Sequence, residues 1–437
     1  MLAQRFGPEQ TAPEKRREYF FDIFCMLAQE LLFMRIDSHL TNLTAMKKTE
    51  RGIRMDFKKT EEQELLLESI DEFFAQGQFD ETYIQECEAQ QKPLTEYRLA
   101  ALEAGFGMLG IPEEFGGVEV DTQTLVMVGE RIYSHGYPSG LGALLQVDDM
   151  LNFGTPEQQK KVIDRLKAGD AMGFCLGLSE PQAGSDSHAI TTSFVRKDGK
   201  VIINGHKTFC TDADRAKYMF CMTRDFSKDL PAKKAMTTWL VPMDSPGITI
   251  KPMHKVGHRT RSMCEVYLDN VVVEESDMIG VEGKGFMNVM KNFDVERLVI
   301  AADSLGIATC CYNDALQYAT QRVQFGKTIG EFQLIQEKLV EMKIRIENMR
   351  NFLYKTAWEK DNGIPIRTSA ALCKRYCAQA GFEVADMAMQ ILGGIGYTED
   401  HRVARLWRDA RMHRIGGGTD EIMVHIAGRA LQDEIRK

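Results

Sequence analysis

The stretch FMNVMKNFDVERLVIAADSLGIATCCYNDALQYATQRVQFG, from Phe286 to Gly326, is the longest helical pattern in the chain. Apolar side chains recur in it at three- and four-residue intervals, as they do on the buried face of a helix. We predict a single long helix ended by Gly326, because glycine commonly follows the last helical turn. Further helices are predicted at about 335–360 and 367–392, with a short one at the C-terminus. Residues 281–437 are therefore expected to form a helix bundle.

Before this bundle, the spacing of apolar residues is typical of strands in the nearer segment and of helices in the segment that precedes it. FVRKDGKVIINGHKTF (194–209) contains two β-prone runs joined by Asp198-Gly199, the dipeptide that a tight hairpin turn favours. Similar runs follow up to Val273, so residues 171–280 are predicted to form a β domain. Residues 55–170 are predicted to form an N-terminal α-helical domain, in which Thr155-Pro156 marks a helix start.

The first 54 residues differ from the rest of the chain. Their apolar segment, residues 19–34, is interrupted by Asp22 and Glu30 and is too short to span a bilayer. It also lacks the pattern of a signal peptide. A well-formed amphipathic helical pattern begins at Met55, so we expect Met55 to be the natural start and residues 1–54 to be an over-extended gene model. The alternative is a genuine helical extension.

The composition argues against several classes of function. A formal net charge of −9 is not expected of a general nucleic-acid or anionic-membrane binder, since either would carry a basic excess. The ten cysteines are scattered, without a compact disulfide framework and without the Cys/His spacing of a zinc site. We therefore expect a cytoplasmic protein that holds no metal and binds neither nucleic acid nor membrane.

Three motifs have the residue types of a ligand site. LSEPQAGSDS (178–187) offers hydroxyls and backbone N–H groups to a phosphate or a flavin edge, although an ordinary Gly/Ser surface turn would read similarly. RVQFGKTIGEFQLIQEKLVEM (322–342) offers a cation and an aromatic ring, with a capped helix hairpin as the alternative. Gly393-Gly394 and Gly416-Gly417-Gly418 allow a backbone to approach a ligand closely.

The order and spacing of these motifs resemble the acyl-CoA dehydrogenase family over residues 55–437. Within that family QRVQFG (321–326), FQLIQEK (332–338) and GGGTDE (416–421) are most similar to crotonobetainyl-CoA reductase and its bacterial paralogues. The resemblance implies an α+β fold with an N-terminal helical domain, a middle β-barrel-like domain and a C-terminal four-helix bundle. It also implies a homotetramer, built as a dimer of dimers.

The resemblance further implies FAD as cofactor. The residues expected to bind FAD are Leu178, Ser179, Gly184, Ser185, Phe209, Thr211, Arg322, Phe325, Gln333, Gln390, Gly393, Gly394, Thr419 and Glu421. Arg322, Phe325, Gln390 and Gly394 would reach the flavin of a neighbouring subunit. Gln182, where the family usually has glycine, and Glu421, where it commonly has glutamine, are departures that affect the contacts nearest to them.

The resemblance places the catalytic base of many family members at Gly417, which has no side chain to serve. Other members carry the base on the long helix in a D-x-E-R-L pattern, which here reads Asp294 to Leu298 and assigns the base to Glu296. The residues agree, because apolar residues three and four positions away put Glu296 on an apolar face, where its pKa should rise. The alternative is a surface glutamate paired with Arg297. The Gly417 N–H and a flavin ribityl hydroxyl would hold the substrate oxyanion.

The resemblance also implies a short-chain thioester substrate and a set of residues around it. Expected substrate contacts are Ser185, Phe293, Asp294, Arg297, Gly416 and Arg429. Asp148 and Asp149 would attract a cationic acyl tail, or else face solvent at a helix end. We expect interconversion of acyl-CoA and 2,3-enoyl-CoA, in the reductive direction with electron-transferring flavoprotein as partner. The alternatives are a β-oxidation dehydrogenase and a catalytically inert flavin- or CoA-binding subunit.

Overall fold

The computed structural model describes residues 58–170 and 172–436. Contacts join Lys59–Lys437 into one compact unit, in which helices come first, strands second and helices again last. The predicted extension, residues 1–54, and the predicted start at Met55 lie outside the described residues. Because one unit holds all three parts, the domain boundaries near residues 170 and 280 stay predictions.

The first part of the described chain is helical. Its helices are α1 Glu61–Ala75, α2 Glu81–Ala89, α3 Thr95–Glu103, α4 Thr122–Ser134, α5 Gly142–Phe153 and α6 Pro156–Lys167. The predicted start of α6 is confirmed: Thr155 caps the helix, its hydroxyl accepts from Gln158 N, and Pro156 occupies the first turn. Aromatic rings from α1, α3 and the loops between helices fill the core of this part.

The middle part is a sheet whose two halves meet along one short contact. Its strands are β1 Cys175–Gly177, β2 Ser193–Lys197, β3 Lys200–Thr211, β4 Tyr218–Arg224, β5 Met236–Pro242, β6 Ile248–Pro252, β7 Met263–Val273 and β8 Met278–Ile279, with a short helix, α7 Ala232–Ala235, before β5. The strand order is β6-β7-β3-β2-β4-β5-β8, and β1 pairs with β4. Only Ser193 and Arg224 join β2 to β4, which lets the two halves enclose a shared apolar core.

The predicted hairpin between β2 and β3 is confirmed. Lys197 pairs with Lys200, so the turn contains only Asp198 and Gly199. Both turn residues have positive φ, 53° and 74°, as a two-residue turn of this hand requires.

The last part is a bundle built on the quoted stretch. Its helices are α8 Gly285–Gln321, α9 Gln333–Asp361, α10 Arg367–Leu392, α11 Arg402–His413 and α12 Asp420–Ile435, and two short strands, β9 Val323–Gln324 and β10 Lys327–Thr328, follow α8. Small and aliphatic side chains of α8, α9 and α10 form its buried centre. Among the residues that the structure describes, no helix is long and apolar enough to cross a membrane, and no cluster of three or more His, Cys, Asp or Glu side chains is arranged to hold a metal.

The prediction that the long helix continues to Gly326 is wrong. The helix ends at Gln321, and Arg322 is already extended. Residues 323–324 pair antiparallel with 327–328, while Phe325 and Gly326 form the turn with φ of 54° and 81°. A glycine that tolerates positive φ, three residues after the β-branched Val323, favours a tight hairpin here over another helical turn.

Candidate active site

Glu296 of α8 and the triple-glycine turn after α11 lie against each other. A methyl group placed on Gly417 would be 3.6 Å from Oε1 of Glu296 and 2.3 Å from Cδ1 of Ile300. Gly417 has a φ of +64°, which favours glycine over residues with a side chain. A carboxylate reaching from residue 296 and one reaching from residue 417 would therefore enter the same space.

The triple-glycine turn is closed by hydrogen bonds on both sides of Gly417. Gly416 N donates to Met412 O at 2.9 Å, and the buried Lys374 donates through Nζ to Gly418 O at 2.7 Å. Within residues 58–170 and 172–436, the Gly417 N–H has no hydrogen-bond acceptor of its own. It is therefore available to a ligand oxygen.

Glu296 is partly exposed and stands in a charged setting. Burial raises the pKa of its carboxyl above the usual range, and the charges of Arg297 and Lys374 oppose that rise. Arg297 does not form an ion pair with Glu296: it is buried and donates to Asp294 Oδ1 at 2.5 Å. In the described part of the chain, no hydrogen-bond donor reaches the Glu296 carboxylate, so it is free to accept a proton.

One helical turn before Glu296, Asn292 joins this helix to α5. Asn292 is buried and donates to Asp149 Oδ1 at 2.7 Å. Burial raises the pKa of Asp149 to about 8, and the nearby charges of Glu296 and Asp148 add to that rise. Asp149 thus faces the inner side of α8, which differs from the solvent-facing position considered above.

The loop of residues 178–187 is held from beneath by a buried ion pair. Lys207 of β3 donates to Glu180 Oε1 at 2.8 Å and to the carbonyl of Leu178 at 3.2 Å. Burial would raise the pKa of Glu180, but Lys207 and the loop donors lower it to about 2. Gln182, the departure noted above, donates to Glu180 Oε2 at 2.7 Å and so adds to this network.

An exposed strip beside that loop has the residues that a flavin needs. Phe209 is 56% exposed and has a φ of +55°, and the neighbouring Thr208 N donates to Ser179 O at 2.9 Å. Gly184 and Ser185 are exposed, and a methyl on Gly184 would meet nothing within 4 Å. An open aromatic face, hydroxyl groups and uncovered backbone on a rigid support fit a flavin ring and its phosphates.

This strip and the carboxylate belong to adjoining surfaces. Leu178 of the loop and Phe293 of α8 pack against the same apolar core, which includes Met150 and Phe220. Thr211 is half-buried at the end of β3, where it pairs with Met263 of β7.

Other predicted cofactor residues lie at the far end of the bundle. Gln390, Gly393 and Gly394 line a cavity of about 300 Å³, together with Asp386, Met389 and Tyr397. Arg322 lies just before the exposed β9–β10 hairpin, Phe325 in its turn and Gln333 after it, and Phe325 is 94% exposed. Among the described residues, no hydrogen bond or ion pair joins either group to Glu296.

The residues predicted on α12 are divided between its two ends. Thr419 caps the helix, and its hydroxyl accepts from Ile422 N. Glu421 is exposed in the first turn, where hydrogen bonds from its own backbone and from Thr419 lower its pKa. Arg429 is exposed nine residues after Asp420, about 14 Å along the helix axis, so the structure does not bring it to Glu296.

Lys374 and Asn292 were missed by the sequence analysis. Lys374 carried a readable signal, since every residue three or four positions from it is small and apolar: Ala370, Ala371, Cys377 and Ala378. A lysine at that point of a helix must point into the bundle. Asn292 gave no such signal, because its partner Asp149 is 143 residues away in the chain.

Comparison with known proteins gives the family. Models of the N-terminal, middle and C-terminal domains of acyl-CoA dehydrogenases match residues 60–170, 175–271 and 283–432. The protein named "Probable acyl-CoA dehydrogenase YdiO" of Escherichia coli (strain K12) is 50% identical over 379 residues, which is 86% of this chain and 98% of that protein. The chain belongs to the acyl-CoA dehydrogenase family.

Solved structures with the same fold agree with that assignment. Butyryl-CoA dehydrogenase from Megasphaera elsdenii is 32% identical, with a TM-score of 0.78 over 86% of this chain and 100% of that one. A chain from a structure of the electron transferring flavoprotein of Acidaminococcus fermentans is 30% identical, with a TM-score of 0.79 over 86% of this chain and 99% of that one. The predicted three-part acyl-CoA dehydrogenase fold is confirmed. This family member is an FAD-dependent oxidoreductase that acts on the CH–CH group of an acyl-CoA.

Proposed function

We propose that the protein interconverts a short-chain acyl-CoA and its 2,3-enoyl-CoA with Glu296 as the proton-handling base. The observation that carries this proposal is the approach of Glu296 Oε1 to within 3.6 Å of the point where a side chain on Gly417 would begin. The long helix therefore supplies a carboxylate to the space that the glycine turn leaves empty. Among the described residues, the three heavy atoms nearest to that methyl position belong to Ile300 and Glu296.

The chemistry divides between Glu296 and the turn. In dehydrogenation Glu296 takes a proton from the carbon α to the thioester, and in enoyl reduction it returns that proton. The Gly417 N–H donates to the thioester oxygen as negative charge develops there. FAD, held by the loop of residues 178–187 and by Phe209, supplies hydride exchange with the β-carbon when bound. Burial of Glu296 favours its neutral form and so raises its strength as a base.

The rest of the substrate would lie along α8. Asp294 and Arg297 hold each other, and Arg297 Nε is buried without a hydrogen-bond partner within the described chain. We propose that this guanidinium orients the thioester arm, with Phe293, Ser185 and Gly416 beside it. Asp149, which accepts from Asn292 one turn before Glu296, would limit the acyl chain at its distal end, in keeping with a short-chain substrate. We propose that Arg429, which lies away from Glu296, binds the phosphates of CoA at the end of the substrate opposite the thioester.

We propose the reductive direction, with electron-transferring flavoprotein as electron donor. The support is the resemblance of residues 321–326, 332–338 and 416–421 to crotonobetainyl-CoA reductase and its paralogues. A β-oxidation dehydrogenase, working in the opposite direction, is the second candidate, and the likeness to butyryl-CoA dehydrogenase favours it. The same Glu296 serves both directions.

We also propose that the working form is a homotetramer, in which a neighbouring subunit completes the flavin site. Large apolar side chains are exposed where the predicted cofactor residues lie: Phe325 at 94%, Tyr397 at 84% and Leu334 at 71%. Aromatic residues left bare in this way mark surfaces that a partner covers. The expected cytoplasmic location stays a prediction.

A spectral titration tests the proposed function. Purified holoenzyme is expected to be yellow and to bleach when butyryl-CoA is added without oxygen. Reduced electron-transferring flavoprotein with crotonyl-CoA is then expected to yield butyryl-CoA faster than butyryl-CoA is oxidised to crotonyl-CoA. A faster oxidation of butyryl-CoA would favour the β-oxidation dehydrogenase. A yellow protein that no acyl-CoA from four to eight carbons bleaches would contradict the proposal and favour an inert binding subunit.

A further inference from the structure

Lys374 is a buried lysine beneath the triple-glycine turn. Its exposure is 0%, and its Nζ donates to Gly418 O at 2.7 Å. Across the described residues, no carboxylate lies within ion-pair distance of this ammonium group. Removing an ammonium group from water is costly, so the hydrogen bond to Gly418 and nearby negative charges have to offset that cost.

The turn needs an anchor because it contains three glycines in succession. Gly417 and Gly418 have φ of +64° and +94°, and glycine loses more conformational freedom on folding than any other residue. Lys374 fixes the carbonyl of Gly418, one residue after the N–H that we assign to the thioester oxygen. Without that bond, only backbone hydrogen bonds such as Gly416 N to Met412 O would fix the direction of the Gly417 N–H.

The same ammonium group acts electrostatically on Glu296. Burial lowers the pKa of Lys374 to about 8, while Asp420 and Glu296 oppose that fall. The positive charges of Arg297, on the same helix, and of Lys374, on α10, in turn lower the pKa of Glu296 against the effect of burial. On the side of α5, the negative charge of Glu296 adds to the rise in the pKa of Asp149. Asp420 of α12 faces Lys374, and its carboxylate is already bonded by Arg414.

We propose that Lys374 is a positioning residue for the reaction: it anchors the triple-glycine turn through the Gly418 carbonyl and favours the ionised form of Glu296 through its charge. This inference rests on the proposed role of Glu296. It adds a residue from a third element, α10, to a site otherwise made by α8 and the turn before α12. The two actions of Lys374 are separable, because a neutral side chain is able to keep the hydrogen bond and lose the charge.

Two substitutions separate these actions. Lys374→Gln is able to donate to Gly418 O but has no charge, and Lys374→Met has neither property. The measurement is the rate of flavin reduction by butyryl-CoA in the holoenzyme from pH 5 to pH 9. In both variants we expect the midpoint of the acid limb to rise by about one pH unit, because an opposite charge is lost beside Glu296. Only Lys374→Met should also lose rate on the high-pH plateau, by about tenfold or more.

Lys343→Met is the matched control, since Lys343 is an exposed lysine of α9 paired with Glu347. It should leave the midpoint and the plateau unchanged. If Lys374→Met does not fold or retain FAD, Lys374→Gln alone decides. A midpoint in Lys374→Gln equal to that of the wild type would overturn the inference, because a purely structural lysine predicts that result.

Glu296→Gln is measured beside these variants to separate the two proposals. If Glu296→Gln reduces the flavin slowly and the pH midpoint of Lys374→Gln equals that of the wild type, only the inference about Lys374 is contradicted. A Glu296→Gln variant as fast as the wild type removes the proposed function, and with it the reason for a charge effect.

Discussion

Replacing Gly417 with alanine tests the packing of the site most sharply. The new methyl would lie 2.3 Å from Cδ1 of Ile300, whereas ordinary contact begins at 3.4 Å, so the two must separate by about 1.1 Å. The alanine would also carry the φ of +64°, which costs roughly 1–2 kcal/mol for a residue with a Cβ. Because Ile300 lies one helical turn beyond Glu296, the shift would displace the Glu296 carboxylate or the Gly417 N–H.

A displacement of about 1 Å in a catalytic group typically costs on the order of 10²-fold in rate. We therefore expect Gly417→Ala to reduce the rate of flavin reduction by about that factor. We expect it to lower stability by roughly 2–5 kcal/mol, of which roughly 1–2 kcal/mol is the backbone cost and roughly 1–3 kcal/mol the overlap with Ile300. Stopped-flow absorbance gives the rate, and thermal unfolding of the holoenzyme gives the stability.

A second substitution assigns the loss to its cause. Ile300→Val removes the Cδ1 atom, so the double variant Ile300→Val/Gly417→Ala should recover most of the rate and retain only the cost of the backbone. Gly428→Ala is the control, because a methyl there meets nothing within 4 Å and its φ is not in the left-handed region. Gly417→Ala with a rate within threefold of the wild type would refute this reasoning.

Two further predictions concern the surroundings of the site. Lys207→Met leaves Glu180 buried without its cation, so we expect a loss of about 3–5 kcal/mol in stability and a lower ratio of bound flavin to protein. Lys200→Met, at an exposed lysine, is the control. An unchanged flavin content in Lys207→Met would contradict the prediction. Burial raises the pKa of Asp149 to about 8 in the folded protein. From about pH 4 to pH 8 the folded state therefore holds a proton that the unfolded state has lost, and the free energy of unfolding falls as pH rises. Asp149→Asn removes this dependence and should raise the unfolding temperature more at pH 8 than at pH 5; an equal change at both pH values would count against it.

Local signals in the sequence predicted much of the fold because the chemistry involved is local. Thr155-Pro156 starts α6 and Asp198-Gly199 turns the hairpin, each through contacts that span only a few residues. The limits of α10, residues 367–392, also follow from periodicity. The end of α8 did not, because the backbone leaves the helix at Arg322, four residues before the glycine that was expected to end it.

The candidate site was predictable only in part. Periodicity put Glu296 on an apolar face, and burial does raise its pKa. The pairing of Asp149 with Asn292 depends on how α5 meets α8, which no short-range pattern encodes. The bond from Lys374 to Gly418 likewise joins α10 to a turn that lies 44 residues further along the chain. Charge neighbours of this kind follow from tertiary packing and become visible only in three dimensions.

The central claim is that the Glu296 carboxylate moves the α-proton. The direct measurement is the exchange of the α-hydrogens of butyryl-CoA with deuterated water in the holoenzyme, wild type against Glu296→Gln. We expect Glu296→Gln to exchange at least roughly 10²–10⁴-fold more slowly, with FAD content unchanged, since that is the usual share of a positioned base. Exchange within threefold of the wild type would show that another group moves the proton and would contradict the account.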